Sequence, residues 1–203
     1  TGADLENLLK EAALLAARQG LKAITQPNIE EATIKVVMGT EKKSHVMKDK
    51  DKLITSYHEA GHAIVSYFLP TQDPVHQISI IPRGLAAGYT MYLPTDEKSH
   101  VTRTAILENI CSMLGGRAAE QLTQEDICTG ASNDIQRATE LARKMVTKYG
   151  MSEKLGPIMF GTDQNEVFLG RDFSATPNYS EKIAAAIDDE IEGIITTQYQ
   201  HAL

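Results

Sequence analysis

The segment His58-Glu59-Ala60-Gly61-His62 constrains this 203-residue chain more than any other feature of its sequence. It lies inside an apolar stretch, Leu53 to Leu69, whose pattern predicts a helix that ends at Pro70. Residues four apart lie on one face of a helix, so both imidazoles can reach one ion. The fold must therefore contain a helix that presents both histidines to a common point.

This segment also has the residue types that a catalytic zinc site requires. Histidine nitrogens are typical zinc ligands, and a catalytic zinc has three protein ligands and one open position. Glu59 lies one step round the helix, where it can take a proton from a water and return it to a leaving amine. The pattern predicts His58 and His62 as zinc ligands and Glu59 as general acid/base. The alternative is two partly buried histidines beside an exposed glutamate.

The spacing leaves the third zinc ligand open. His76 follows the helix-ending Pro70 and a turn, so it is expected in a strand or loop. Glu120 and Asp134 are the remaining candidates. Asp134 falls in the first turn of a predicted helix, where the helix dipole favours a carboxylate for structural reasons alone. Either acid can equally be an ordinary helix residue.

The remaining periodicity predicts a mainly α fold with a small β-sheet. A pair of glycines, Gly115-Gly116, is expected to interrupt a helical stretch between Val101 and Leu122. The predicted strands are Val75–Ile81 and Gly88–Leu93, and the other predicted helices surround Leu5–Ala16, Pro27–Met38, Ser132–Tyr149 and the segment from Ser180 onwards.

A charged segment, residues 41–52, predicts a domain boundary. It contains five lysines, two aspartates and one glutamate with few apolar residues, as is typical of a solvated linker. The predicted organisation is a helical segment over 1–40, the linker over 41–52 and a domain over 53–203. A charged surface of one continuous domain is the alternative.

Composition excludes several classes of protein. A net charge of -7 argues against nucleic acid or an anionic membrane surface as the main partner. Two cysteines are too few for a disulfide framework and favour a reducing compartment. No apolar run approaches the length of a membrane span. The sequence also has no G-x-x-x-x-G-K-[ST] phosphate loop and no G-x-S-x-G segment.

Several ordered motifs resemble one family, the FtsH-type ATP-dependent zinc metalloproteases, which are membrane-anchored AAA+ proteases of bacteria and organelles. The resemblance covers essentially the whole chain. Besides the H-E-x-x-H segment, it rests on residues 1–5 with 11–14, 38–41, 73–76, 80–84, 115–120, 129–135 and 152–157, which read TGADL, EAAL, MGTE, DPVH, IIPRG, GGRAAE, TGASNDI and SEKLGP.

The resemblance implies more than the spacing does. It implies that Asp134 is the third ligand of one zinc ion per chain and that Glu120 supports a ligand near the site. It implies a helical protease domain that forms a homo-hexameric ring beneath an ATPase ring, with residues 1–40 as the end of the AAA+ lid. Unfolded or membrane proteins are the implied substrates.

The phosphate-binding loop and membrane helices of such proteases are not in this sequence. ATP is therefore expected to act only through an ATPase module outside the chain. The implied location is the cytoplasmic side of the bacterial inner membrane, with an organelle membrane as the alternative and this fragment soluble. Strand Gly88–Leu93 is a candidate edge for an extended substrate.

Two functional hypotheses follow. The first is a zinc endopeptidase domain that cleaves unfolded polypeptides. The second is a non-catalytic helical oligomerisation module with a structural or vestigial metal site. A structural site normally closes its fourth position and has no need of Glu59, so the intact segment favours the first hypothesis.

Overall fold

The computed structural model describes residues 1–42, 47–84, 86–96, 99–124, 126–161 and 178–203. In these residues the predicted mainly α fold with a small β-sheet is confirmed, and the two strands pair with each other in an antiparallel sheet. The elements are α1 (Gly2–Arg18), α2 (Gln26–Met38), α3 (Asp49–Phe68), β1 (Val75–Ser79), β2 (Tyr89–Tyr92), α4 (Arg103–Thr123), α5 (Ser132–Thr147) and α6 (Glu181–Ala202).

The chain forms two compact units, of which the first comprises Thr1–Ser56 and Ile78–Tyr89. Helices α1 and α2 pack on each other in this unit through the fully buried Ala12 and Ala32. Alanines at the contact allow the two helix backbones to approach closely. A salt bridge between Lys35 and Glu11 links the same pair of helices.

A loop after β1 is attached to the end of α2 within the first unit. The guanidinium of Arg83 is buried and donates to the carboxylate of Glu31 at 3.0 Å. The backbone N–H of Gly84 donates to the carbonyl oxygen of Thr40 at 3.2 Å. The loop is therefore held to α2 by a side-chain contact and to the segment after α2 by a backbone hydrogen bond.

Residues 43–46 of the predicted linker lie outside the described residues. Helix α3 begins at Asp49, so the last four residues of the 41–52 range are helical. The carboxylates of Asp49 and Asp51 lie in the first turn, where they interact favourably with the positive end of the helix dipole.

The second unit comprises Tyr57–Gln77 and Thr90–Leu203, and its core is formed by helices α4, α5 and α6. Each helix contributes a stripe of apolar residues at helical spacing. The most deeply buried members of this core are Ile110, Ala138, Ala142, Met145, Val146 and Ile187.

Helix α4 is continuous, so the predicted interruption at Gly115-Gly116 is wrong. Glycine weakens a helix by about 1 kcal/mol relative to alanine, but tertiary packing overrides that preference. A Cβ on Gly115 would lie 2.8 Å from the carbonyl oxygen of Gly61, and a Cβ on Gly61 would lie 2.4 Å from the carbonyl oxygen of Gly115. The two glycines thus allow α3 and α4 to cross with their backbones in contact.

None of the described helices combines the length and the apolar character needed to cross a membrane.

Candidate metal centre

The hydrogen bonds of the two histidines determine which ring nitrogen is free in each. Nδ1 of His62 lies 2.8 Å from the carbonyl oxygen of Ser112 on α4. A carbonyl oxygen only accepts, so Nδ1 carries the proton and Nε2 has a free lone pair. Nδ1 of His58 lies 2.8 Å from Oε1 of Glu120, which gives the neutral ring the same tautomer. Both histidines therefore direct Nε2 towards the same place.

Three electron-pair donors meet at this place. Nε2 of His58 lies 3.1 Å from Nε2 of His62 and 3.3 Å from Oδ2 of Asp134. Nε2 of His62 lies 3.5 Å from the same carboxylate oxygen. At zinc–ligand distances of about 2.0–2.1 Å, two ligands of a tetrahedral site lie about 3.3–3.4 Å apart. The three donor atoms fit one face of such a tetrahedron.

Asp134 reaches the histidines from the first turn of α5, which follows a short 3₁₀ turn at Thr129–Ala131. Burial alone would raise the pKa of this carboxyl. The close approach of the imidazoles of His58 and His62 outweighs burial and brings the pKa of Asp134 well below its ordinary value. The carboxylate is therefore ionised near neutral pH and contributes a negative charge, as a divalent cation requires.

The environment of His58 combines opposing effects on its pKa. Burial lowers the pKa of the imidazole, whereas hydrogen bonds to Asp134 and then to Glu120 raise it. The carboxylates prevail, and the pKa of His58 lies above its ordinary value. These interactions show that the site stabilises positive charge at the point where the three donors meet.

Glu120 lies behind His58, away from that point, and only 1% of its surface is exposed. Its Oε1 accepts from Nδ1 of His58, while its Oε2 accepts from the guanidinium of Arg117 at 3.2 Å. Arg117 also donates to the carbonyl oxygen of Cys128 at 3.1 Å. The arginine balances the buried negative charge, so Glu120 can orient His58 without being an uncompensated anion.

Gly116 lies directly beneath the two imidazoles. A Cβ on this residue would lie 2.6 Å from Nε2 of His58 and 2.7 Å from Nε2 of His62. Real Cβ atoms do not approach other atoms so closely. Helix α4 therefore supplies a bare backbone here, which leaves the space that the two rings occupy.

Glu59 follows His58 in the sequence and is buried, with 7% of its surface exposed. Burial raises the pKa of this carboxyl above its ordinary value. The hydroxyl of Thr90 on β2 donates to Oε2 of Glu59 at 2.8 Å and opposes that increase. This combination of burial and one hydrogen bond favours a group that can both release and accept a proton.

The structure brings together three of the residues named from the sequence. Within the described part of the chain, His58, His62 and Asp134 form the one cluster of histidine, cysteine and acidic side chains that could hold a metal. His76, on β1, is exposed and is not a member of it. Glu120 contacts His58 on the nitrogen opposite the one that faces the cluster.

Sequence reasoning missed four groups that contact or make room for the residues of the site: Thr90, the carbonyl group of Ser112, Gly116 and Arg117. A signal existed for two of them. Alternation along the predicted strand places Thr90 on the face opposite Tyr89 and Met91. A glycine pair inside a helical pattern can indicate a close approach of another group. No pattern in the sequence indicates which carbonyl group a histidine will contact.

Comparison with known proteins agrees with this geometry. The profile of the peptidase family M41 matches residues 45–203, and that of the AAA+ lid domain matches residues 1–31. A protein of Caldicellulosiruptor bescii named ATP-dependent zinc metalloprotease FtsH is 58% identical over 202 residues, which are 100% of this chain and 33% of that protein.

Two further relatives carry similar names. ATP-dependent zinc metalloprotease FtsH 1 of a Thermoanaerobacter species is 58% identical over 100% of this chain and 33% of its own length. The FtsH protein of Veillonella parvula is 55% identical over 98% of this chain and 31% of its own length. The chain thus spans about one third of the length of the curated relatives it matches.

The resemblance that the motifs indicated is confirmed by these matches. Because the profile match extends over well more than half of the residues, and includes all the side chains of the candidate metal centre, this chain belongs to the peptidase family M41.

Proposed function

We propose that this chain is the proteolytic part of an FtsH-type protease and acts as a zinc-dependent endopeptidase. The observation that carries the proposal is the convergence of His58 Nε2, His62 Nε2 and Asp134 Oδ2 within 3.5 Å of one another, with the buried Glu59 adjacent in sequence to His58. In this proposal those three residues bind one zinc ion and Glu120 orients His58.

A bound zinc would lower the pKa of a water in its open position towards 7 and polarise the carbonyl group of the scissile peptide. Glu59 takes the proton from the attacking water while that water adds to the carbonyl carbon. The same carboxyl then donates the proton to the nitrogen of the leaving amine as the C–N bond breaks. Its raised pKa favours the first of these transfers, because a buried carboxylate holds a proton more tightly than an exposed one.

We propose that an extended substrate adds to the edge of β2. The observed sheet has two strands, so each has one edge that the other strand does not pair. Main-chain hydrogen bonds to such an edge bind a polypeptide without regard to its side chains. This mode of binding suits a protease that acts on unfolded segments of many sequences.

The relatives are about three times as long as this chain, so we propose that the chain works within a longer protein. In that protein residues 1–40 complete an AAA+ lid, residues 41–52 connect it to the protease domain at 53–203, and ATP acts only through the ATPase module. We propose a homo-hexamer on the cytoplasmic side of the bacterial inner membrane, which degrades unfolded and membrane proteins.

The role of Glu59 is tested by the substitution Glu59→Gln in the full-length protein. The amide keeps the shape of the side chain but cannot take a proton, so we expect kcat for casein to fall by at least about 100-fold. The zinc content, measured by atomic emission, should stay near one ion per chain. Glu192→Gln, at an exposed position on α6, is the matched control and should keep full activity.

Undiminished cleavage by the Glu59→Gln enzyme would contradict the proposed mechanism. Treatment with a chelator should abolish cleavage by the unaltered protein, and added zinc should restore it. An enzyme that keeps its activity after complete removal of the metal would contradict the proposal of a zinc endopeptidase.

A further inference from the structure

The carboxylate of Glu59 is held by a hydroxyl group of strand β2. Within the described residues, the hydrogen bond recorded for its carboxylate comes from the hydroxyl of Thr90, with 2.8 Å between Oγ1 and Oε2. The same hydroxyl oxygen lies 3.1 Å from the main-chain carbonyl oxygen of Glu59. One threonine therefore contacts both ends of this glutamate.

A buried carboxylate with a single donor depends strongly on that donor. A glutamate has three rotatable side-chain bonds, and the last of them has a broad energy minimum. Glu59 is 7% exposed, so water has little access to hold the group in place. Removal of the hydroxyl would leave the orientation of the carboxylate unspecified while its backbone stays in α3.

Thr90 itself is fixed by its strand. The backbone N–H of Leu93, next to β2, donates to the carbonyl oxygen of Pro74, next to β1. The hydroxyl of Tyr92 lies 3.0 Å from Oγ of Ser66 on α3 and 3.4 Å from Oγ of Ser112 on α4. These contacts attach β2 to both helices of the site, and the β-branched side chain of threonine has few rotamers.

We propose that Thr90 is a positioning residue, whose hydroxyl holds the carboxylate of Glu59 in the orientation that proton transfer requires. A general base within hydrogen-bond reach of the water must also be oriented towards it, and small misplacements greatly reduce the rate. The inference rests on the proposed role of Glu59. It also connects the strand proposed to receive the substrate with the group that transfers the proton.

The test compares Thr90→Val and Thr90→Ser in the full-length protein. Valine has nearly the shape of threonine without the hydroxyl, whereas serine keeps the hydroxyl. We expect Thr90→Val to lower kcat for casein by about 10- to 100-fold with KM changed by less than about 3-fold. Thr90→Ser should restore kcat to within about 3-fold of the unaltered enzyme, as only the hydroxyl is needed.

Two measurements separate positioning from a structural role. The 203-residue chain with Thr90→Val should bind one zinc and melt near the temperature of the unaltered chain. A crystal structure of this variant should show more than one orientation of the Glu59 carboxylate. The matched control is Thr147→Val on α5, which removes a hydroxyl that donates to the carbonyl oxygen of Arg143 and should leave kcat unchanged.

The outcomes are distinct. Equal kcat in Thr90→Val and the unaltered enzyme would overturn the inference, and so would an equal loss in Thr90→Val and Thr90→Ser. If Thr90→Val melts much earlier, Thr90→Ser and Thr90→Ala replace the pair, because they differ from each other only in the hydroxyl. An active Glu59→Gln enzyme would overturn the proposed function instead, whatever the Thr90 variants show.

Discussion

The imidazole of His58 contacts a carboxylate at each of its nitrogens, Glu120 at Nδ1 and Asp134 at Nε2. This arrangement affects how tightly a metal ion binds. The carboxylates favour a cation, whether it is a metal ion or a proton, so metal and proton compete for the same nitrogen. The affinity for zinc at a given pH depends on this competition as well as on the geometry.

We therefore expect the zinc affinity to keep increasing at pH values above the ordinary pKa of histidine. The pKa of His58 in the metal-free protein lies above its ordinary value because of its hydrogen bonds to the carboxylates. Zinc must displace this proton, so affinity should increase with pH until the pH exceeds the raised pKa and then level off. Competition with a chromophoric chelator between about pH 5.5 and 8.5 would measure this.

Glu120→Gln is the control for this pH dependence. The amide oxygen can still accept from Nδ1, but the carboxylate of Glu120, which together with Asp134 raises the pKa of His58, is gone. The midpoint of the curve should then move to lower pH. A midpoint that is the same in both proteins would show that Glu120 does not influence the competition.

At the scale of the element, α4 contributes to the metal centre mainly through its backbone. It accepts from His62 with the carbonyl oxygen of Ser112 and provides space for both rings at Gly116. Glu120, one turn further along, is the α4 residue whose side chain accepts a hydrogen bond from His58. The helix thus forms the floor of the site.

Gly116→Ala should disrupt the metal centre selectively. The added methyl group would lie 2.5–2.7 Å from atoms of both imidazoles, so the rings must move and the three donors separate. We expect zinc affinity to fall by at least about 10-fold, measured by isothermal titration. Alanine is also the better helix former, by about 1 kcal/mol, which limits any loss of helicity.

The control for this substitution is Gly193→Ala on α6. A Cβ there meets no atom within 4 Å, so the variant should keep its zinc affinity and gain thermal stability. If Gly116→Ala binds zinc as tightly as the unaltered chain, the space beneath the rings is not required for binding.

Much of the architecture could be predicted at this scale, and the reason lies in periodicity. Helix α6 and the apolar stripe along α5 follow from spacing alone, as does the placement of His58 and His62 on one helical face. The proposed third ligand did not follow from spacing, because Asp134 and Glu120 are far from α3 in sequence. Family resemblance, rather than residue chemistry, selected Asp134.

The failed prediction at Gly115-Gly116 has the same physical origin as the missed role of Thr90. Local propensity describes a helix in isolation, where two glycines are destabilising. Only the neighbouring helix shows that a side chain at either position would collide with α3. Likewise, strand alternation places Thr90 on a face but does not identify the carboxylate it contacts.

At the scale of the whole molecule, a group of exposed apolar residues lies near the end of α3. Ile64, Tyr67 and Phe68 are 60%, 82% and 76% exposed, and the rings of Tyr67 and Phe68 lie 5.3 Å apart. Exposed apolar patches of this kind commonly mark contacts between proteins. They agree with the proposed hexamer, in which a second copy would cover them.

The double substitution Tyr67→Ser with Phe68→Ser should therefore weaken assembly of the full-length protein. Loss of the apolar contact removes part of the free energy of association, since large aromatic residues contribute strongly at interfaces. Mass photometry should show fewer hexamers at a given concentration. Glu192→Ser, at an exposed polar position on α6, is the control and should assemble normally.

A hexamer fraction that is unchanged in the double variant would show that these aromatics lie outside the interface. The zinc content of each variant should be measured beside it, because the substituted residues share α3 with His58 and His62.

At Gly61 and Gly115, main-chain atoms of α3 and α4 lie against each other, in the two helices that form one wall and the floor of the metal centre. Side chains can change rotamer with temperature or mutation, but main-chain atoms in a helix cannot. The gap between these helices is therefore limited by main-chain contact at the two glycines and not by the size of a side chain. Apolar residues elsewhere can be exchanged during evolution while the distance from each histidine to its supporting carbonyl or carboxylate stays the same.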